Sequence, residues 1–389
     1  MRNRTKRKLS LVEIRSKMPI PMTDLKTQYS SIKEEIDSAI QRVICEGQYI
    51  LGPDVEGFEK EMAEYCGVKY AIGVASGTDA LHLALLACGV KPGDEVITTP
   101  FTFVATAEAI VHCGAIPVFV DINHQTYNLD VSVIESEITS KTKAIIPVHL
   151  YGQPADMRAI IKIGRKYGLI IIEDCAQALG ATYNAEKVGS IGDVGCLSFF
   201  PAKNLGAFGD GGMVVTNDLK ISEIVGQLRK HGSEESYFHS LVGFNSRLDS
   251  LQAAILKVKL KYLNKWNEQR RKKAYLYTQL LSKTSCVKPP IVESKSNSSV
   301  NYYTIRLNDP KKNRTQLKEY LSLNGYASAV YYPKSLHLQD VFKYLGYGYG
   351  DFPESELAQE QVLSLPIFPE IDEEEIRKMV NLIYKFLDS

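Results

Sequence analysis

Short apolar runs alternate with longer amphipathic segments through the first part of the chain. The apolar runs predict strands, at Tyr70–Ala75, Glu95–Thr98, Pro117–Val120, Ala144–Val148, Leu169–Glu173, Val194–Phe199 and Gly212–Thr216. The segments between them predict helices, including Asp79–Cys88, Ala105–Cys113, Asp130–Ile138 and Asp156–Tyr167. Strands and helices that alternate in this way predict a three-layer α/β domain, in which helices cover both faces of a mostly parallel sheet.

The pattern changes after Arg247. Apolar residues recur there at helical spacing and predict one long helix, through Leu248, Leu251, Ile255, Val258, Tyr262 and Trp266. A short α+β portion follows, with strands near Tyr302–Arg306 and Ala329–Tyr332 and helices near Thr315–Leu323 and Asp372–Leu387. We therefore predict a large domain over residues 18–265 and a smaller C-terminal α+β domain over residues 266–389.

Charge and hydropathy narrow the classes of partner. The chain has 46 Lys and Arg against 45 Asp and Glu, so its net charge is close to zero. That balance removes the electrostatic reason to expect a nucleic-acid partner. No apolar run approaches the roughly 20 residues of a spanning helix, so no membrane partner is expected either.

The chain opens on MRNRTKRKLS, which is basic but has no apolar signal-peptide stretch. We expect residues 1–17 to be a disordered extension, or to precede a start at Met18, although a nucleic-acid arm stays open. The seven cysteines are scattered without a CxxC pair, and the histidines show no metal-ligand spacing. These features favour small core cysteines in a reducing cytoplasm, and they predict no metal.

Two common phosphate-binding motifs are absent: neither GxxxxGK[ST] nor an early GxGxxG occurs. The run ASGTDALHLAL instead places Ser76, Gly77 and Thr78 after a strand and at the start of a helix. Free backbone amides of a first helical turn can bind an anion. The alternative is an ordinary helix start that is capped by Thr78 or Asp79.

Two further residues carry candidate chemistry. Asp174 follows a buried strand, at the edge where open α/β sheets bind ligands; alternatively it caps the next segment. Lys203 lies in a loop between two apolar strands, in the run SFFPAKNLGAFGDGG. Desolvation there would lower its pKa and make the amine a nucleophile, whereas a surface lysine in a glycine turn is the alternative.

Together these features match what pyridoxal phosphate (PLP) requires from a protein. PLP needs a lysine that forms an imine, an anion beside its pyridinium nitrogen, and a cup for its phosphate. Lys203, Asp174 and the helix start at Gly77 supply these groups in turn.

At these residues the sequence resembles the DegT/DnrJ/StrS family of sugar aminotransferases, which have the aspartate aminotransferase fold (fold type I). The resemblance extends in order from about Met18 to the C-terminus. It is carried by GQYILGPDVEGFE from Gly47, ASGTDAL from Ala75, TTPFTFVATAEAI from Thr98, VHLYGQPADM from Val148, EDCAQALGA from Glu173, SFFPAKNLGAFGDGG from Ser198, GFNSRLDSLQAAIL from Gly243 and LSLPIFP from Leu363.

The resemblance implies a role for each matching position around the cofactor ring. Lys203 would form the imine, and Asp174 would pair with the pyridinium nitrogen. Gln177 would face the phenolic oxygen of the ring, and Phe103 would stack on the ring where many relatives have Trp or Tyr. Taken alone, Phe103 could equally be a core residue.

Further positions are implied at the phosphate, the neighbouring subunit and the substrate. Gly77, Thr78 and Ser198 would hold the phosphate. Asn245 would reach it from the neighbouring subunit of a homodimer, while Arg247 and His337 would contact substrate. Ser198 as a plain strand residue, and Asn245 and Arg247 as caps of the next helix, are the alternatives.

The implied reaction moves an amino group from an amino acid, L-glutamate, to a nucleotide-linked keto-sugar in amino-sugar and polysaccharide biosynthesis. Pyridoxamine phosphate would form between the two halves. Gln177, with the GQYILGP and GFNSRLD segments, resembles members that aminate carbon 3 rather than carbon 4. The rivals are a PLP-dependent sugar dehydratase, which Lys203 counts against, a non-catalytic regulator, and an amino-acid transaminase anchored by Arg306.

Overall fold

A computed structural model describes residues 19–235 and 237–389, so the predicted extension over residues 1–17 lies outside the described residues. The α-helices are α1 (Leu25–Ser31), α2 (Lys33–Glu46), α3 (Pro53–Cys66), α4 (Gly77–Ala87), α5 (Val104–His112), α6 (Met157–Tyr167), α7 (Leu219–Leu228), α8 (Ser250–Leu281), α9 (Arg314–Leu323), α10 (Pro353–Gln361) and α11 (Glu373–Asp388). Among the described residues, no helix is long and apolar enough to cross a membrane.

The strands form one large sheet and several small ones. They are β1 (Tyr70–Val74), β2 (Glu95–Thr98), β3 (Ile116–Phe119), β4 (Thr142–Ile145), β5 (Ile170–Asp174), β6 (Thr182–Tyr183), β7 (Glu186–Lys187), β8 (Val194–Ser198), β9 (Gly212–Thr216), β10 (Ser233–Glu235), β11 (Phe238–His239), β12 (Val287–Lys288), β13 (Ser296–Asn297), β14 (Tyr303–Leu307) and β15 (Val362–Leu365). The large sheet has the order β1-β9-β8-β5-β4-β2-β3, and only β9 runs antiparallel to its neighbours.

Both faces of this sheet are covered, as the unbroken apolar run in β5 indicates. Ile172 packs in a core with α4, while Ile171 packs on the opposite face with residues of α6. A strand that is buried on both faces cannot alternate apolar with polar residues, which explains the sequence of β5. The carboxyl ends of β5 and β8 therefore meet at one edge of the sheet.

Helix α8 links this domain to a second core. Its 32 residues run through the predicted domain boundary at residues 265 and 266, which stays a prediction. Tyr277, near the end of the helix, packs with Tyr303 of β14 in a core that also contains residues of α9 and α11. Strands β12, β14 and β15 form the small sheet of this α+β portion.

The predicted helix over Asp130–Ile138 was wrong, because the segment forms turns and one short 3₁₀ helix over Ile134–Glu137. The Asp130 side chain accepts hydrogen bonds from the backbone and hydroxyl of Ser132, which favours a turn. Val131, Ile134 and Ile138 still pack against the core, so their helical spacing reflected burial without a full helix.

The predicted strand over Ala329–Tyr332 was also wrong. Only Ala329 pairs with a neighbouring strand, through a single bridge to Ser364 of β15. The two tyrosines that follow, Tyr331 and Tyr332, turn instead toward a cavity between the two cores. Their aromatic side chains gave the segment its strand-like composition.

Candidate active site

Three elements of the large domain end or begin around one cavity of about 570 Å³. Strand β5 ends there at Asp174, β8 ends there at Ser198, and α4 begins there at Gly77. Lys203, from the loop between β8 and β9, lines the same cavity. The structure thus brings together the predicted cofactor residues Gly77, Thr78, Phe103, Asp174, Gln177, Ser198 and Lys203.

The start of α4 has free donors at the cavity. Ser76 is the N-cap residue, since its hydroxyl accepts from the Asp79 backbone N–H at 3.0 Å, so the alternative of a cap at Thr78 or Asp79 does not hold. Within the described part of the chain, the backbone N–H groups of Gly77 and Thr78 donate to no protein acceptor. Such groups carry a partial positive charge and favour an anion.

This helix start lies against β8 so closely that only glycine fits at position 77. A Cβ atom at Gly77 would lie 2.6 Å from the Cβ of Ser198. A Cβ at Gly212 of β9 would lie 2.1 Å from the carbonyl oxygen of Ser76. The two glycines therefore allow the helix start and the ends of β8 and β9 to enclose one small space.

Asp174 is held in place by its neighbours, and only 6% of its surface is exposed. Its Oδ2 accepts a hydrogen bond from the Thr106 hydroxyl at 2.8 Å, and its Oδ1 accepts from the Ala176 backbone at 3.1 Å. The buried carboxylate faces a cavity that also contains the Lys203 amine. A carboxylate at such a position favours a cationic or protonated ligand group.

The amine of Lys203 is desolvated, although the cavity leaves part of its side chain accessible. Burial lowers the pKa of Lys203 to about 8, and the negative charge of Asp174 partly opposes this shift. An amine with this pKa is about one-tenth unprotonated at pH 7, a far larger nucleophilic fraction than an ordinary solvated lysine has.

Gln177 and Phe103 lie on further walls of the cavity. The Gln177 side-chain oxygen accepts from the Tyr151 backbone at 2.8 Å, and its amide nitrogen donates to the Tyr332 hydroxyl at 3.0 Å. Phe103 is 56% exposed, which removes the alternative that it is a core residue. Its ring lies 6.4 Å from that of Tyr332.

The C-terminal α+β portion adds three tyrosines that the sequence did not single out, Tyr302, Tyr331 and Tyr332. The rings of Tyr302 and Tyr331 lie 4.3 Å apart, and the hydroxyl of Tyr151 donates to the Tyr331 carbonyl. The available signal was the aromatic cluster YY that occurs twice in the C-terminal part, at residues 302–303 and 331–332.

The remaining predicted site residues lie outside the cavity lining of a single chain. Asn245 is exposed and accepts a hydrogen bond from the Arg247 guanidinium at 2.5 Å. His337 is buried, bonds to Glu356 at 3.0 Å and packs on Phe352, outside the cavity lining, so its contact with substrate stays a prediction. Arg306, the possible carboxylate anchor, instead donates to Gln361.

One buried group of residues has the composition of a metal site, namely His149, Glu173 and Cys175. Glu173 accepts hydrogen bonds from the backbone N–H groups of residues 189, 191 and 192 and contacts Nε2 of His149 at 2.9 Å. Nδ1 of His149 accepts from the Ala155 backbone at 3.0 Å. These lone pairs are already used, so the group holds the end of β5 together by hydrogen bonds.

A nucleophilic amine, a buried carboxylate and an anion cup around one cavity define an enzyme of the PLP-binding α/β class. Comparison with known proteins gives the family. The chain belongs to the DegT/DnrJ/EryC1/StrS aminotransferase family, whose model matches residues 30–384. Membership confirms the predicted family and the aminotransferase class.

Two relatives illustrate the match at the level of sequence. A protein of Geobacillus stearothermophilus named pleiotropic regulatory protein is 50% identical over 95% of this chain and 99% of its own length. A UDP-N-acetyl-3-dehydro-alpha-D-glucosamine 3-aminotransferase of Acidithiobacillus ferrooxidans is 45% identical over 95% of this chain and 98% of its own.

Solved structures confirm the fold. S. venezuelae DesV, in complex with a ketimine intermediate, aligns with a TM-score of 0.93 at 39% identity, covering 96% of this chain and 99% of that one. NtdA from Bacillus subtilis, with bound cofactor PMP, aligns with a TM-score of 0.84 at 32% identity, covering 99% of this chain and 86% of that one. The predicted fold class, a mostly parallel sheet within an aminotransferase fold, is therefore correct.

Proposed function

We propose that this protein is a PLP-dependent aminotransferase that moves an amino group from L-glutamate to a nucleotide-linked 3-keto-sugar. One observation carries the proposal: the amine of Lys203 and the carboxylate of Asp174 line the same cavity as the free N–H groups at the start of α4. The amine can attack the aldehyde of PLP, the carboxylate can pair with its pyridinium nitrogen, and the N–H groups can bind its phosphate.

The residues that line the cavity match the groups of PLP. Gly77 brings no side chain to the start of α4, and within the described residues the N–H groups of Gly77 and Thr78 have no protein acceptor, so they can donate to a phosphate. Asp174 would hold the ring nitrogen, Phe103 would cover one face of the ring, and Gln177 would lie beside it. Bound PLP supplies an aldehyde for amine exchange and a ring that takes up electrons from the reacting carbon.

Lys203 would carry the cofactor and then act as the general acid and base. With its pKa lowered to about 8 by burial, its Nζ can release and accept a proton near neutral pH. Asp174 stays in place because Thr106 and the Ala176 backbone hold both of its oxygens. Its charge would act at short range on the ring that it holds.

The proposed sugar rests on the relatives and on the cavity walls. The named function of the A. ferrooxidans relative is amination at carbon 3 of a UDP-linked sugar. A Pseudomonas aeruginosa relative, 44% identical, is named a UDP-2-acetamido-2-deoxy-3-oxo-D-glucuronate aminotransferase. Tyr302, Tyr331 and Tyr332 line the cavity and bring hydroxyl groups that could hydrogen-bond to a sugar.

We also propose a homodimer with a shared active site, in the cytoplasm. Phe103, Phe200 and Phe208 are exposed at or near the cavity, and a second subunit would cover them. Asn245 is likewise exposed, which fits a residue that reaches the phosphate of the neighbouring subunit. The seven free cysteines fit a reducing compartment.

An amination assay tests the substrate class. Purified protein with L-glutamate would be offered 3-keto and 4-keto nucleotide sugars, with product amines read by mass spectrometry. We expect turnover of the 3-keto compounds, and none from the Lys203→Ala variant. Preferred turnover of 4-keto compounds would contradict the position, and turnover of no keto-sugar would favour the regulator that the name of the G. stearothermophilus relative describes.

A further inference from the structure

A second buried lysine lies behind the loop that carries Lys203. Lys259 of α8 is only 2% exposed, and its Nζ donates a hydrogen bond to the carbonyl oxygen of Gly206. The ammonium also lies 5.3 Å from the centre of the Phe208 ring. The negative charge of Glu370 acts on this ammonium from beyond ion-pair distance, and among the described residues Lys259 forms no ion pair.

Burying a lysine ammonium without an ion pair is unfavourable unless hydrogen bonds compensate for the water that it loses. Burial lowers the pKa of Lys259 to about 8, with Glu370 partly opposing this shift. The hydrogen bond to Gly206 indicates the role of the amine. Within the described residues no backbone N–H donates to the Gly206 carbonyl, so Lys259 is its hydrogen-bond donor.

Gly206 is a point where the loop closes on itself. A Cβ atom at that position would lie 2.2 Å from the carbonyl oxygen of Pro201. The backbone of Ala207 also donates to the carbonyl of Phe199 at 2.8 Å. Gly206 is only three residues after Lys203, on the segment that leads to β9. The hydrogen bond from Lys259 therefore fixes the loop close to Lys203.

Two more polar residues of α8 hold the same loop. Gln252 accepts a hydrogen bond from the Phe208 backbone at 2.8 Å. Asn267 accepts one from the Asn204 side chain at 2.6 Å. Positions 252, 259 and 267 are about two helical turns apart, so they form one stripe along α8.

We propose that Lys259 is a positioning residue for Lys203: it anchors the catalytic loop to α8 through the Gly206 carbonyl. This inference rests on the proposed function of Lys203. Lys259 itself does not line the cavity, so it acts through the loop and not on the substrate. Because α8 continues into the small domain, the stripe also connects the position of Lys203 to that domain.

The test replaces Lys259 by Met, which keeps the length of the side chain and removes the donor. Lys261→Met is the matched control, since Lys261 is two residues along the same helix and is exposed. Each holoprotein would be compared by circular dichroism, by the pH midpoint of the visible PLP band, and by the rate of PLP loss on dialysis. We expect K259M to be folded, to shift the midpoint, and to retain PLP roughly tenfold less well.

Borohydride reduction followed by peptide mapping separates this inference from the function itself. If the wild-type protein holds no PLP on Lys203, the proposed function fails. If wild type holds PLP on Lys203 while K259M keeps the wild-type midpoint and PLP retention, only the role of Lys259 is overturned.

Should K259M not fold, Lys259→Gln carries the test, because it keeps a polar side chain but shortens it and removes the positive charge. A folded K259Q with a displaced midpoint or faster PLP loss supports positioning. A folded K259Q with the wild-type midpoint and PLP retention contradicts it.

Discussion

The amine of Lys203 and the carboxylate of Asp174 face one cavity, and the protein controls each in a different way. Burial favours the neutral form of the amine, and its pKa falls to about 8. The carboxylate accepts hydrogen bonds at both oxygens, from the Thr106 hydroxyl and the Ala176 backbone, which fix its position. One site thus combines a nucleophilic amine with a carboxylate of fixed orientation.

The lowered pKa of Lys203 gives a first prediction, for the protein freed of cofactor. Its amine should react with acetic anhydride with a midpoint near pH 8, and not near the 10.5 of an unperturbed lysine. Mass spectrometry of the labelled peptides measures this, with the exposed Lys261 as the internal reference for reagent. The unfolded state binds more protons than the folded one between these pH values, so this lysine makes the cofactor-free protein more stable as pH rises through that window. A midpoint near 10.5 would show that Lys203 is solvated.

Asp174 gives a second prediction. Asp174→Asn keeps the shape but removes the charge, so kcat should fall by on the order of a hundredfold or more. Thr106→Val removes only the hydroxyl that donates to Asp174, and we expect a smaller fall of about tenfold. Steady-state kinetics with circular dichroism as the folding control measures both. Equal losses in the two variants would mean that the charge itself is unimportant.

At the scale of elements, the start of α4 is positioned by close contact rather than by side-chain bonds. Gly77→Ala would place a methyl carbon against Ser198, so we expect the free energy of unfolding to fall by about 1–3 kcal/mol and PLP retention to fall with it. Denaturant unfolding and dialysis measure the two effects.

Gly226→Ala is the matched control, because Gly226 lies in α7 with open space where the new Cβ would be. Alanine favours a helix by up to about 1 kcal/mol, so this variant should be as stable as wild type or more stable. If Gly77→Ala behaved like this control, the close approach of α4 to β8 would not matter for the site.

The same scale shows what the sequence could predict. β5 was predictable because Ile170, Ile171 and Ile172 form an unbroken apolar run, and Asp174 follows it directly. The helix predicted at Asp130–Ile138 failed because spacing records burial, whereas hydrogen bonds from Ser132 to Asp130 decide the backbone. Local patterns thus located each element that ends at the cavity.

Local sequence patterns could not predict the contacts between segments that are far apart in the chain. The tyrosines at 302, 331 and 332 reach the cavity only because the small domain packs over it. His337 has the sequence neighbourhood of a cleft residue, yet pairing with Glu356 and packing on Phe352 turn it into the interior. In the sequence, Lys259 is one of many lysines in this helix, and only the fold shows that it donates a hydrogen bond to Gly206.

At the scale of the whole molecule, the proposed shared site predicts complementation between inactive variants. Lys203→Ala and Asn245→Asp proteins should each be inactive or nearly so, the first without its amine and the second with a negative charge near the phosphate. Mixing them under conditions of subunit exchange should recover about a quarter of wild-type activity, because one site of each mixed dimer carries neither change. Light scattering confirms the dimer, and no recovery from exchanged dimers would place Asn245 in its own subunit's site.

The most direct test of the central claim, that Lys203 and Asp174 serve one PLP-dependent amino transfer, is the absorbance spectrum of the purified holoprotein before and after L-glutamate. We expect a visible band from PLP linked to Lys203, its replacement by the pyridoxamine-phosphate band on adding glutamate, and absence of the first band in Lys203→Ala. A band that persists in Lys203→Ala, or one that no amino acid changes, would contradict it.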